Sequence, residues 1–169
     1  MRKLLILVAV VAILVTSIVI SLIHREAIVN SSSELENFLP TTLIDRYEVV
    51  EIVTGEDAIK MTKSIHWNPG NIAPLDAIVA IYSDGTRVWI SKIDSACKVV
   101  EIMASKMQKY ENMLPYTVPV QHNIGGKNIY LSLDKRSGKL HAFWCINEKV
   151  LIWVETGSSG IDGLREFIK

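Results

Sequence analysis

Residues 139–155 read KLHAFWCINEKVLIWVE. Two β-rich runs, 139–146 and 149–155, flank a polar turn at Asn147-Glu148. Each run is apolar at successive positions: Ala142-Phe143-Trp144-Cys145-Ile146, then Val150-Leu151-Ile152-Trp153-Val154. Side chains of a strand alternate between the two faces of its sheet. A strand apolar at every position is therefore buried on both sides or lies at the centre of a sheet.

Upstream, turns at Gly125-Gly126 and around Ser137-Gly138 separate strands expected at 118–123 and 127–133. Before Pro115 comes a helix. Asp94 or Ser95 caps it, and Ala96, Val99, Val100, Met103, Met107 and Tyr110 form one stripe. Strands at 77–82 and 86–92 flank Asp84-Gly85, a dipeptide that favours a type I′ hairpin turn with positive φ at both positions. A strand at 47–53 leads into a helix at about 56–66, with Thr54 and Asp57 as a reciprocal cap. Ser159 and Asp162 repeat that spacing before a short helix carrying Ile161, Leu164, Phe167 and Ile168. The order β-α-ββ-α-ββββ-α predicts an α+β domain over residues 40–169, with an antiparallel sheet and its helices on one face. Strand–turn–strand–helix occurs twice, in 77–110 and 139–168, as a duplication or as two ordinary hairpin–helix units.

The N-terminus is a different kind of sequence. Residues 4–23, LLILVAVVAILVTSIVISLI, hold no charge, Gly or Pro. Twenty residues at about 1.5 Å rise match a hydrocarbon core of about 30 Å, so a transmembrane helix is expected. The alternative is a cleaved secretory signal, whose apolar region is shorter and ends at a small-x-small site; no convincing site follows here. Arg2 and Lys3 precede the run, whereas the charges of Arg25 and Glu26 cancel after it. The positive-inside rule then puts residues 1–3 in the cytoplasm and residues 24–169 outside, anchored in the bilayer by 4–23. Residues 24–39 read as a polar juxtamembrane linker, and Asn30-Ser31-Ser32 fits the N-glycosylation pattern.

This split explains the composition. The 169 residues carry 18 basic and 18 acidic side chains and are 49% hydrophobic. The mean hydropathy of +0.27 comes largely from the apolar N-terminal run. Without Arg2 and Lys3 the remainder has 16 basic against 18 acidic side chains, and no basic run that would favour nucleic acid.

Motifs for chemistry are few. Cys97 and Cys145 can form a disulfide in an oxidising exterior, or remain two small buried hydrophobes. His24, His66, His122 and His141 lack metal-ligand spacing, so no metal and no cofactor is expected. Neither a Gly-x-Ser-x-Gly elbow nor a P-loop is present. Gly157-Ser158-Ser159-Gly160 precedes a helix and its amides could hold an anion, but it reads as a connection with a capping serine. Met103 and Met107 read as core, as do Trp144 and Trp153.

Two functions fit these residues. One is a single-pass anchored protein whose outer domain binds a protein partner of unknown identity without catalysis, for example as an accessory subunit. The other is an anchored enzyme whose site gathers dispersed residues such as His66, His141 and Asp76.

Overall fold

The computed structural model describes residues 34–65 and 73–169, together with Thr16 and Ser17. The rest of the 4–23 segment, Asn30, His66 and Trp67 lie outside the described residues. No helix among the described residues is long and apolar enough to cross a membrane.

The elements are β1 (Thr42–Leu43), β2 (Tyr47–Thr54), α1 (Gly55–Ser64), β3 (Asp76–Tyr82), β4 (Arg87–Lys92), α2 (Ala96–Lys109), β5 (Val120–Ile124), β6 (Lys127–Leu133), β7 (Leu140–Asn147), β8 (Val150–Glu155) and α3 (Gly160–Glu166). Among the described residues the strands form one eight-stranded sheet, ordered β1-β2-β3-β4-β8-β7-β6-β5. All its pairings are antiparallel. The expected α+β order is present, with β1 added at the front. The doubly apolar β8 is central, between β4 and β7.

Alternation along the strands divides the core in two. One side, here the helix side, presents Val79, Trp89, Phe143, Leu151 and Trp153 to Ala58 of α1 and to Ala96, Val100, Met103 and Met107 of α2. The far side presents Ile78, Tyr82, Val88, Ile90, Trp144, Ile152 and Val154. It is covered by Leu35, Leu43 and the Leu164, Phe167 and Ile168 side chains at the C-terminus.

This corrects the expectation that all helices share one face: α1 and α2 do, but α3 lies opposite. Both faces of β7 and β8 are apolar, so either could receive a helix, and helical periodicity says nothing about which. The linker expected at 24–39 also ends earlier. Leu35 is fully buried, and Phe38 and Leu39 pack against the far-side core. Their i, i+3, i+4 spacing makes one apolar stripe among polar neighbours.

The expected caps do not form as side-chain bonds. Thr54, Ser95 and Ser159 occupy the N-cap positions, but none bonds its helix through its side chain. Nor is Asp84-Gly85 a type I′ turn. Gly85 N–H donates to Tyr82 O and Tyr82 N–H to Thr86 O, which closes a three-residue loop. Only Gly85 of that loop has positive φ, at 85°. This is a type I turn followed by a left-handed glycine, the other common hairpin solution.

Candidate functional site

β4 runs through the middle of the sheet, and its helix-side residues are Arg87, Trp89 and Ser91. A central strand facing a hydrophobic core should place apolar groups there. Instead each of the three carries a buried polar atom without a hydrogen-bond partner: Arg87 Nε, Trp89 Nε1 and Ser91 Oγ. Three other such atoms occur among the described residues: Thr62 Oγ1, His141 Nε2 and Trp144 Nε1. Thr62 lies one turn after Ala58 on the sheet-facing stripe of α1. Trp144 belongs to the far side. Five of the six therefore gather on the helix side. An unpartnered buried polar group costs about 1–3 kcal/mol, so such a concentration needs a reason.

The strand register sets the spacing. Arg87 stands opposite Glu155, Glu155 opposite His141, and His141 opposite Ser132. This is one row across four strands, with about 4.8 Å between neighbours. The next row on the same side is Trp89, Trp153, Phe143 and Tyr130. Its rings stack: Tyr130 on Phe143 at 5.4 Å and Phe143 on Trp153 at 4.9 Å, both at 12°. The Arg87 guanidinium lies 5.7 Å from the Trp89 ring centroid.

His141, between Glu155 and Ser132 in the row, is 3% exposed. Its Nδ1 accepts a hydrogen bond from Trp153 Nε1 at 3.0 Å. An indole N–H only donates, so a neutral His141 must carry its proton on Nε2. That Nε2 lies 3.8 Å from Glu155 Oε2, too far for a hydrogen bond. Glu155 is held by Lys139 Nζ at 2.5 Å. Burial pushes the His141 pKa below its ordinary value; Glu155 and Asp134 oppose this and Lys139 reinforces it. Tyr116 packs edge-on against both His141 and Trp153. Burial first, then the Asp134 and Glu155 carboxylates, raise the Tyr116 pKa.

A histidine acting as general base needs a free lone pair aimed at the proton it removes. The lone pair of His141 is occupied by Trp153. What the face offers is N–H donors from Arg87, Trp89 and His141, with hydroxyls from Thr62 and Ser91.

A second polar cluster serves the fold. Asp84 Oδ2 accepts bonds from Ser159 Oγ, from Ser159 N–H at 3.1 Å and from Thr86 Oγ1 at 2.8 Å; Oδ1 accepts from Thr86 N–H at 2.8 Å. Burial alone would raise the Asp84 pKa, but the bonds from Ser159 and Thr86 hold it below the ordinary carboxylate value. Gly157 N–H donates to Thr86 Oγ1 at 2.9 Å. The anion held beside the 157–160 connection is thus the chain's own Asp84.

Cys97 of α2 and Cys145 of β7 are joined by a disulfide, with Cα atoms 5.0 Å apart. Asp76 and His141 are not brought together. Asp76 is opposite Lys92, which is opposite Val150, whereas His141 is opposite Glu155. Five residues of β8 separate those rows, about 17 Å. Asp76 is buried and accepts from Ala77 N–H at 2.9 Å. His122 lies exposed on β5. No group of three metal-ligating side chains occurs among the described residues.

Sequence reading missed Arg87, Trp89, Ser91 and Thr62 as a set. The available signal was the alternation in Arg87-Val88-Trp89-Ile90-Ser91, where polar-capable and aliphatic residues take turns within a strand bound for the core. Compared with protein-family models, curated proteins and solved structures, the chain matches none.

Proposed function

We propose that this chain is a single-pass, membrane-anchored binding protein, with residues 1–3 in the cytoplasm, 4–23 in the bilayer and its α+β domain outside. The observation that carries the location is the Cys97–Cys145 disulfide, since structural disulfides persist in oxidising compartments. The uncharged segment 4–23 and the flanking charges support the same topology. Binding without catalysis is supported by His141, the buried imidazole of the helix side, whose lone pair is taken up by Trp153. The domain would act through a protein partner, as an accessory subunit does within a larger assembly.

A C-terminal reporter together with thiol labelling tests the placement. We expect the reporter to be exposed on the outer side. We also expect both cysteines of unreduced, denatured protein to resist maleimide until a reductant is added. A cytoplasmic C-terminus, or two free thiols, would overturn the placement. Crosslinking before detergent extraction tests the binding role; a chain recovered monomeric, with neither partner nor ligand, counts against it.

A further inference from the structure

We propose that β5 pairs antiparallel with β5 of a second copy of this chain, joining two sheets about a two-fold axis at His122. The proposal goes beyond the binding role above, since it requires no second kind of protein. β5 ends the sheet, and among the described residues it pairs with β6 on one side and with no strand on the other. Alternate residues of an antiparallel strand send both N–H and C=O to the same side, so the outer side of β5 carries donors and acceptors open to another strand. All five of its residues are exposed. Pro119, which has no N–H to give, precedes the run, and the Gly125-Gly126 turn follows it.

Open edges are ordinarily guarded by charge, proline, a bulge or shortness. The opposite edge of this sheet shows such devices: β1 is two residues long, and β2 beyond it carries Glu51 beside a register shift. β5 shows none. Val-Gln-His-Asn-Ile holds no Lys, Arg, Asp, Glu or Pro and pairs with β6 without a shift. The order of its side chains names the occupant. Read in either direction it runs apolar, amide, imidazole, amide, apolar. Centred on His122, the pairing sets Val120 against the second copy's Ile124, Gln121 against its Asn123, and the two His122 rings against each other. Val120 and His122 stand opposite Leu131 and Ile129, so with Ile124 they face the far side. Val120 is 57% and Ile124 39% exposed, and the two-fold pairing covers both of them twice. No net charge opposes the contact, and a strand of unrelated sequence would have no need of this symmetry.

The test uses full-length protein in detergent. Cys97 and Cys145 are bonded to each other, so a cysteine placed on β5 supplies the free thiol. His122→Cys sets two such thiols opposite each other, with Cα atoms about 4.5–5.5 Å apart, within disulfide reach. Ile124→Cys sets them four residues out of register, about 14 Å apart along the strand. Under mild oxidation we expect His122→Cys to form a reductant-sensitive dimer at least about tenfold faster than Ile124→Cys. Val120→Lys with Ile124→Lys puts like charges opposite each other and should raise the dimer dissociation constant at least about tenfold in sedimentation. Val120→Lys with Ile124→Glu puts opposite charges there and should restore the dimer. Both variants alter the same two exposed residues, so loss of folding would not separate them. The proposal is overturned if the two cysteine variants crosslink alike, or if the chain is monomeric. A dimer indifferent to both charge variants, as one held by residues 4–23 would be, also overturns it. So does protection of the β5 amides from exchange only when another protein is bound.

Discussion

His141 gives the fold a titration in the acid direction. Its ordinary pKa of 6.5 is lowered in the folded chain, first by burial, with Lys139 adding to the effect. Around and below pH 6.5 the unfolded chain takes up a proton that the folded chain refuses. This contribution is complete above 6.5 and is lost as pH falls through the lowered folded value. We expect the melting temperature to drop on acidification from neutral pH, and His141→Asn to flatten that slope. Thermal melts across a pH series would show it; an unchanged slope would assign the titration to another group. Gly157 makes a second residue-scale prediction. A Cβ there would meet Asp84 O at 2.3 Å and Thr86 N at 2.4 Å, both backbone atoms that cannot rotate away. Gly157→Ala should cost about 1–3 kcal/mol, read from the denaturant midpoint. The Asp84-Gly85 turn shows how far local sequence reaches. A hairpin was readable from the dipeptide, but not its type, because Asp84 is recruited by Ser159 from 75 positions away.

At the scale of elements, periodicity placed the strands and the two longer helices within a few residues, because burial of one face writes itself into spacing. Capping was less readable. A serine before a helix can bond its own helix or another partner, and Ser159 bonds Asp84 instead. Ser95 sits in the left-handed region with φ of 57° and makes no side-chain cap. The two hairpin–helix units resemble each other along the chain, yet α2 and α3 leave to opposite faces. Trp89 and Trp153, the matching tryptophans, stand directly opposite each other between β4 and β8. The β4 polar face escaped notice because no single residue in it is unusual; only register and burial assemble it. The disulfide fastens α2 to β7 across a sequence separation of 48. Loop-entropy accounting for that separation gives about 4 kcal/mol, within the usual 2–5 for removing a native bridge. The double variant Cys97→Ala, Cys145→Ala should lose stability of that order in urea titrations. A variant as stable as the parent would show that the bridge contributes little.

Across the whole molecule, the sheet has two local halves. Among the described residues every strand pairing joins strands consecutive in sequence except one, β4 with β8. The half before residue 111 holds β1–β4, α1 and α2; the half after it holds β5–β8 and α3. Among the ties that cross between them are the β4–β8 ladder, the Cys97–Cys145 bond, the Asp84–Ser159 bonds, and the residues after α3, where Phe167 meets Tyr82 ring edge to face at 5.7 Å. Loop closure makes distant pairings the slow ones, so each half can organise locally before the central ladder zips. The connection between the halves passes through Glu111, Asn112 and Met113, all exposed. A protease cut there should leave a two-chain molecule that runs intact on a denaturing gel without reductant and separates with it. Such a nicked form is a ready-made split protein: two fragments that carry their own hairpins, share one ladder, and report by their reassembly whether the seam has closed.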